Sequence, residues 1–338
     1  MDALSFALAC PKAELHMHIE GSLEPELAFE LAQRNNVALP YANAAELRAA
    51  YDFEDLQSFL DLYYACAQVL ITERDFHDLM FAYLQRAHAD GIVRAEVFFD
   101  PQTHTERGID IKTVIDGLWA GAQEAERRFG ISSALILCFL RHLPEEAAFD
   151  TLKQAEPYLD RIVGFGLDSS EKGHPPSKFE RVFARCRDLG KYVVAHAGEE
   201  GPPAYITEAL DLLKADRIDH GVRSVEDATV LERVARERIP LTVCPLSNVR
   251  LCVFHKMELH TLPQLLAAGA NVTLNCDDPA YFGGYLGDNI RAVQAAFNWD
   301  VATWYSLARN SLESTFASPA DKARWVAKLD AMLHTASA

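Results

Sequence analysis

The sequence predicts an α/β protein built as a single (β/α)8 TIM barrel, and three observations lead to that fold class. The 338 residues are 49% hydrophobic, enough for a large core. Eight short apolar segments alternate with helical patterns, as in a parallel barrel covered by helices. Ionisable residues collect where these segments end, which is the face that carries active sites in such barrels. We expect residues 1–338 to form one domain.

Each predicted strand is a short run that is mainly apolar on both faces, as expected of a buried parallel strand. The eight segments are ELHMHI (14–19), VRAEVFFDP (93–101), SALILCFLR (133–141), IVGFGLD (162–168), YVVAHAG (192–198), RIDHG (217–221), PLTVCPLS (240–247) and NVTLNCDD (271–278).

Helical patterns fill the intervals between these strands. Residues 203–215 carry apolar side chains at helical spacing. Ser224 followed by Asp227 predicts a helix start that resembles a capping box. Pro263 and Gly269 are placed where a helix would begin and end.

The interval between the first and second strands is much longer than the others. It covers about residues 22–92 and contains several helical patterns, including FEDLQSFLDLYYACAQVL (53–70). We interpret it as a helical insertion over one mouth of the barrel. Phe59 and Leu60 are expected to contribute to a lid that keeps bulk water out.

Composition narrows the class of partner. There are 32 basic and 49 acidic residues, a net charge of −17. Such a surface repels phosphate backbones and anionic lipid, so we expect no nucleic-acid or membrane partner and a small-molecule ligand instead. The seven cysteines form no CxxC pair and are expected to be reduced core thiols. The N-terminus makes a poor signal peptide, and no run approaches a membrane span of about 18 residues. We therefore predict a cytoplasmic protein whose oligomeric state is open.

The first strand contains the motif His16-Met17-His18. Side chains alternate along a strand, so both histidines should point into the barrel while Met17 packs outward. Two such imidazoles can chelate one metal ion. By itself the motif also fits two hydrogen-bonded core histidines.

Three further strand ends carry ionisable residues. HAGEE provides His196 and Glu199, DHG provides His220, and CDD provides Asp277 and Asp278. Three histidines and one aspartate around a divalent ion leave a position open for water. A carboxylate next to that position can transfer protons. Each motif is weak alone, but their occurrence together at the ends of barrel strands is a strong signal for a metal site with a position open for water.

With these motifs the sequence resembles the adenosine/adenine deaminase family of the amidohydrolase superfamily. The similarity runs from Pro11 to Phe282 and rests on PKAELHMHIEGSLEP, HAGE, DHG and LNCDDP. The resemblance implies a metal-dependent barrel that hydrolyses the 6-amino group of a purine. By position, it implies the metal ligands His16, His18, His196 and Asp277.

The resemblance also implies roles for three other residues. Glu199 would protonate purine N1, His220 would orient and deprotonate the attacking water, and Asp278 would contact N7. The implied cofactor is one divalent ion, Zn²⁺ in the first instance, although these ligands also suit Fe²⁺ or Mn²⁺. Two-metal members of the superfamily usually carry a lysine at the end of the fourth strand, and GLDSSEKG has none on that strand.

Two departures from adenosine-cleaving members favour the adenine deaminase branch. Those members usually have Asp where this chain has Glu20. We expect Glu20 to point inward along the strand, occupy space a ribose would need, and accept a hydrogen bond from the N9–H side of a free base. Ser169 stands near the place of a glycine whose amide meets purine N3. Gly21 is expected to allow a sharp turn where the strand leaves the barrel.

Several alternatives stay open at this point. Adenosine or another aminated heterocycle could be the substrate, and a related barrel could hydrolyse amides or esters. An inactive metal-binding protein would be expected to lack Glu199 or His220, and both are present. His142 is expected to be structural or to support the site indirectly. The remaining histidines of interest are placed at the surface or in loops: His174, His255, His260 and His334.

Overall fold

The computed structural model describes residues 1–337 and shows eight parallel strands in consecutive order. The strands are β1 (Lys12–Glu14), β2 (Ile92–Phe99), β3 (Ser132–Leu140), β4 (Ile162–Asp168), β5 (Tyr192–Ala197), β6 (Arg217–His220), β7 (Pro240–Val243) and β8 (Asn271–Leu274). The two ends of the sheet meet just beyond β1 and β8. There His18 N donates to Asp277 O and Asp277 N donates to His16 O, both at 3.0 Å. The predicted (β/α)8 barrel is confirmed.

Several strands are shorter than predicted at the end that forms the mouth. The β1 ladder stops at Glu14, and Met17 and His18 form only isolated bridges. The β7 ladder stops at Val243 because the chain turns into a helix at Pro245, which has no N–H to give to a ladder. The strand ends therefore bend out of the sheet where the predicted site residues lie.

Helices surround the barrel and cover its mouth. They are α1 (Ala3–Ala9), α2 (Pro25–Asn35), α3 (Ala44–Ala49), α4 (Leu56–Ala67), α5 (Glu73–Ala89), α6 (Pro101–Thr105), α7 (Ile111–Phe129), α8 (Glu145–Ala155), α9 (Glu180–Asp188), α10 (Pro203–Glu208), α11 (Ala228–Arg236), α12 (Pro245–Arg250), α13 (Leu262–Ala267), α14 (Pro279–Phe282), α15 (Leu286–Phe297), α16 (Val301–Glu313) and α17 (Pro319–Ser337).

The long interval between β1 and β2 contains helices α2 to α5, as the predicted insertion requires. Helix α5 belongs to the outer layer and packs closely on α7. The close approach depends on Gly117 and Gly121, where an added Cβ would lie 2.3 Å from Glu73 O and 2.6 Å from His77 O. Helix α4 instead lies over the mouth and places Phe59 and Leu60 in the wall of the cavity there.

Local predictions for the helices have mixed outcomes. Pro263 lies near the start of α13, and Gly269 follows it with φ +78°, as predicted. The predicted start at Ser224 is wrong. Ser224 lies in a 3-10 turn, and Asp227 caps α11 by accepting from the amides of Thr229 and Val230. The turn displaces the true helix start by four residues.

The barrel interior is filled by a small apolar cluster below the mouth: Phe98, Ile136, Cys138 and Val194. The ring of Phe98 lies 5.1 Å from that of His16 and 5.0 Å from that of His18, so it forms the floor on which both histidines rest. All seven cysteines are free thiols; six are buried, as expected, and Cys252 is exposed. Across residues 1–337, no helix combines the length and apolar character needed to cross a membrane.

Candidate active site

Four side chains predicted as metal ligands converge at the mouth of the barrel. They are His16, His18, His196 and Asp277, all buried, and each offers one ligand atom within 4.8 Å of the others. His18 Nε2 lies 3.2 Å from His196 Nε2, and His16 Nε2 lies 3.1 Å from Asp277 Oδ1. The His16 and His18 rings share one side of the chain, as strand alternation predicts.

The other ring nitrogen of each histidine faces an acceptor. His16 Nδ1 lies 3.1 Å from Thr242 O, His18 Nδ1 lies 3.5 Å from Asp168 Oδ2, and His196 Nδ1 lies 3.6 Å from Asp219 Oδ2. Acceptors at Nδ1 favour the tautomer with its hydrogen on Nδ1. The three Nε2 lone pairs are then directed to the centre of the cluster.

This donor set fits a divalent metal ion. Burial lowers the pKa of His196 well below its usual range and lowers that of His18, which favours the neutral forms of these two imidazoles. Burial acts in the same direction on His16, but the charge and hydrogen bond of Asp277 outweigh it and raise the pKa of His16, so this ring is held by its carboxylate neighbour. Two acceptor nitrogens 3.2 Å apart cannot satisfy each other, whereas a cation between them can. Three imidazoles and one carboxylate are a ligand set of transition metals such as zinc.

Two other groups also bring ligand atoms together. His16 and Asp277 are joined by His220 and Cys244, and His18 is joined by Asp100 and Asp168. The second group uses the side of His18 that faces away from His196, since His18 Nδ1 is the nitrogen directed at Asp168.

Glu199 follows β5 and is almost fully buried beside the four ligands. Its Oε2 lies 3.5 Å from His220 Nε2. Burial, followed by the charges of Asp277 and Glu171, raises the pKa of Glu199 well above its usual range. The site therefore holds a carboxyl group whose surroundings favour its protonated form.

His220 ends β6 and faces the same space, with Nε2 3.8 Å from Asp277 Oδ2. Its Nδ1 lies 3.3 Å from Asn248 Nδ2, and Asn248 Oδ1 in turn lies 3.2 Å from His260 Nε2. His260 lies in a loop, one of the two placements expected for it, but it is not at the surface, because its side chain is buried in this chain of contacts.

Asp278 lines the same cavity, and Gly21 packs against the Asp278 side chain. A Cβ at Gly21 would come within 1.9 Å of Asp278 Oδ1. Gly21 belongs to a 3-10 turn over Glu20–Ser22 and is not among the residues with positive φ. The chain does turn at Gly21, as expected, but the glycine is required there for room beside Asp278 and not for a positive φ.

Glu20 is buried, but it does not continue the strand as predicted; it opens the 3-10 turn. Its Oε1 lies 2.8 Å from His104 Nε2 and accepts from Asp100 N at 3.3 Å, and its Oε2 lies 3.5 Å from Tyr63 OH. Tyr63 and Asp100 line the cavity, and Glu20 supports them from behind. The turn occurs because the chain must pass from β1 to the helices over the mouth.

Ser169 lies directly after β4 with φ +73°, a left-handed conformation that favours glycine. This matches the expectation that it occupies the place of a family glycine. Its hydroxyl lies 3.0 Å from Tyr64 OH and 2.9 Å from His142 Nδ1. His142 thus supports a cavity residue, consistent with the supporting role expected for it.

The structure brings all nine predicted site residues to one mouth, and seven of them line one cavity there. Fifteen residues line it: His18, Leu56, Phe59, Leu60, Tyr63, Tyr64, Asp100, Asp168, Ser169, His196, Glu199, His220, Leu251, Asp277 and Asp278. His16 lies beneath this wall against Asp277, and Glu20 lies behind it in contact with Tyr63 and Asp100.

Two acidic residues of this cavity were missed by the sequence reasoning. Asp168 is the last residue of β4, and Asp100 follows β2 directly. Burial and the neighbouring Asp100 raise the pKa of Asp168 well above its usual range. The strand-end rule that found the other residues could have found both. By contrast, no motif marks His104 or Glu171, which act from loops and short helices.

Comparison with known proteins agrees with this geometry. The family model described as "Adenosine deaminase" matches residues 11–332. An adenine deaminase of Hahella chejuensis is 58% identical over 328 residues, covering 97% of this chain and 98% of that protein. A crystal structure of adenine deaminase from Arthrobacter aurescens superposes with a TM-score of 0.95 at 51% identity, covering 96% of this chain and all of that one.

A more distant solved structure adds a metal to the comparison. An amidohydrolase from Burkholderia ambifaria with bound zinc has a TM-score of 0.89 and 25% identity, over 98% of this chain and 94% of that one. Together with the nearly full-length family match, these likenesses show that the chain belongs to the adenosine deaminase family, whose members are metal-dependent hydrolases of purine C–N bonds.

Proposed function

We propose that this protein hydrolyses adenine: water replaces the 6-amino group, giving hypoxanthine and ammonia. The observation that carries the proposal is the buried carboxyl group of Glu199 beside the four-ligand cluster in one cavity. The 58% identity with an adenine deaminase along almost the whole chain supports adenine as the substrate. Adenosine, or another aminated heterocycle, is the alternative.

His16, His18, His196 and Asp277 would hold one divalent ion, for which zinc is the first choice and iron(II) or manganese(II) the alternatives. When bound, such an ion lowers the pKa of water so that hydroxide is available near neutrality. We propose a single ion because Asp168 faces His18 Nδ1, the ring nitrogen directed away from the four-ligand cluster. A carboxylate at that nitrogen orients the histidine ligand and is not needed as a ligand of a second ion.

Glu199 would donate its proton to purine N1. Attack of water at C6 breaks the C6=N1 double bond and moves an electron pair to N1, where the new N–H bond forms. The C6–N6 bond then breaks, and the amino group leaves as ammonia after taking up one of the two protons of the attacking water. The other proton returns to Glu199 as the C6=O bond of hypoxanthine forms. A buried acid relieves the charge on N1 as it develops.

His220 would orient the attacking water, since its Nε2 faces the cavity 3.8 Å from Asp277 Oδ2 and 3.5 Å from Glu199 Oε2. With Asn248 donating to Nδ1, neutral His220 carries its hydrogen on Nε2 and can donate to the water. Taking a proton from the water would require the amide of Asn248 to present its oxygen to Nδ1. Asp278 would contact N7, since its Oδ1 has no hydrogen-bond partner within the described residues.

Ser169 would contribute the contact to N3, through its amide or its hydroxyl. Glu20 would make the cavity selective for a free base. Its longer arm reaches His104 Nε2 at 2.8 Å and holds Tyr63 and Asp100 in the cavity wall, where a sugar would otherwise extend. An aspartate, one methylene shorter, could not make the same set of contacts.

Ammonia release from adenine and from adenosine, after metal reconstitution, tests the proposal. A site with buried polar groups arranged for one substrate rejects its analogue strongly, so we expect kcat/KM to favour adenine by at least about 10²-fold. Comparable rates on both substrates would contradict selectivity for adenine and favour adenosine as the substrate. Ammonia from neither, with amides cleaved instead, would contradict purine deamination altogether.

Glu20→Asp sharpens the test. We expect it to weaken adenine turnover while the metal stays bound, because the carboxylate no longer reaches His104. Glu24→Asp is the matched control: Glu24 is partly exposed and accepts from Tyr285 OH at 3.0 Å, away from the cavity. Equal losses in the two variants would show that Glu20 has no special part in substrate recognition.

A further inference from the structure

Glu171 has the most concentrated set of hydrogen bonds near the site. It lies in the loop after β4 and is fully buried. Its Oε1 accepts from Gly198 N at 2.7 Å. Its Oε2 accepts from Glu199 N at 3.1 Å, Glu200 N at 2.8 Å and Gly201 N at 2.7 Å. Four consecutive backbone amides of one loop therefore converge on a single carboxylate.

This loop is the segment that carries Glu199. It begins where β5 ends, and Gly198 has φ +71° at the turn. The fit around the carboxylate is tight, because a Cβ at Gly201 would lie 2.5 Å from Glu171 Oε1. Buried amides need acceptors, and here one side chain from a different strand's loop supplies them. The path of the loop thus depends on Glu171.

We infer that Glu171 is a positioning residue for the reaction. By accepting hydrogen bonds from the four backbone amides of residues 198–201, it fixes the position of the Glu199 carboxyl group. The inference rests on the proposed function, in which Glu199 donates a proton. Both oxygens of Glu171 act only as acceptors here, the hydrogen bonding of an ionised carboxylate. After burial and Asp277, the nearby Glu171 is the next cause that raises the pKa of Glu199.

A double-mutant cycle tests this role. Glu171→Gln is nearly isosteric, but its NH2 group would face amides that now find an acceptor. We expect kcat for adenine to fall at least about 10-fold, with KM changed less than about twofold and metal content unchanged. In a Glu199→Gln background the same change should lower kcat less than about twofold, because a residue that acts through Glu199 has nothing left to position.

Glu145→Gln is the matched control. Glu145 is also a buried carboxylate that accepts from a backbone amide, Val182 N at 2.9 Å, but it lies in the outer layer. It should lower the unfolding midpoint without changing kcat of the folded enzyme. If Glu171→Gln fails to accumulate as folded protein, Glu171→Asp, which keeps the charge but shortens the arm, enters the same cycle with the same criterion.

The outcomes separate cleanly. Equal losses in the native and Glu199→Gln backgrounds, or no loss in the native one, would overturn the role of Glu171 while leaving adenine deamination intact. A native protein that releases no ammonia from adenine would overturn the proposed function before any variant is compared, and this inference would fall with it.

Discussion

The two mouths of the barrel both bury charged side chains, but they arrange them in opposite ways. At the mouth formed by the strand starts, Glu96 accepts from Arg217 Nη1 at 2.5 Å and from Arg94 Nη2 at 3.1 Å. The Arg217 guanidinium also lies 4.0 Å from the centre of the Phe316 ring, which stacks on Tyr192. Opposite charges are paired there, and aromatic rings close that end.

At the mouth formed by the strand ends, carboxyl groups crowd together instead. Asp100, Asp168, Glu199 and Asp278 share one cavity, and in the described chain no Lys or Arg lines it. Burial raises the pKa of each of these four groups. The contrast distinguishes charged groups that stabilise the fold from those that belong to a functional site. Buried ion pairs satisfy each other, whereas crowded carboxyl groups and convergent imidazoles are typical of a site that binds a metal or a substrate.

The largest expected effect comes from removing a proposed metal ligand at the functional mouth. His18→Ala should reduce metal occupancy strongly and lower kcat/KM at least about 10³-fold, because the ion loses an imidazole and the water its activation. Metal analysis and ammonia release measure both. His255→Ala, at an exposed histidine, is the control. Full occupancy with normal turnover in His18→Ala would remove this residue from the metal site.

The paired mouth should respond in stability instead. Arg217→Met leaves the buried Glu96 carboxylate paired with Arg94 alone. We therefore expect a loss of about 3 kcal/mol in the free energy of unfolding. Denaturant unfolding measures it, and kcat of the folded enzyme should stay unchanged. Arg233→Met, which breaks surface pairs with Asp211 and Glu237, should cost less than about 1 kcal/mol. A large fall in kcat for Arg217→Met would erase the distinction between the two mouths.

Glu199→Gln keeps the shape of the proposed proton donor and removes its acidity. The metal should remain, and turnover should fall at least about 10²-fold, the usual contribution of a general acid. Glu200→Gln is matched in type and position, since Glu200 pairs with Lys172 at 2.9 Å outside the cavity. Unchanged turnover in Glu199→Gln would mean that another group protonates the ring.

Asp219→Asn should have the smallest effect of the series. Asp219 faces His16 Nδ1 at 3.9 Å and His196 Nδ1 at 3.6 Å without being a proposed ligand. Such supporting carboxylates usually contribute about 10–100-fold in metal affinity or activity, and metal titration of the apoprotein would measure it. Asp216→Asn is the control, because the Asp216 side chain accepts from Val193 N and has no contact with the histidine ligands. Equal affinity in the two variants would contradict a supporting role.

The sequence predicted the barrel well because the spacing of apolar residues and the apolar composition of each strand are local properties of the chain. Buried parallel strands must be apolar on both faces, and eight such runs were visible. Strand ends were predicted less well, as in β7 and β8, because a ladder ends where a partner is lost, and partners are distant in sequence. The sequence pattern predicts a start of α11 at Ser224, but the N-cap is Asp227. The difference arises because residues 222–226 form a short 3-10 turn before the helix begins.

By itself the sequence determined the fold class and the residue types that collect at one mouth, because alternation along a strand and the common direction of parallel strands follow from backbone geometry alone. Only the tertiary structure decided how those residues are supported. Glu171 reaches the 198–201 loop, His104 reaches Glu20, and His260 reaches His220 through Asn248. These contacts join residues from different loops, and such pairings depend on where the packed helices bring each loop, which no local pattern encodes.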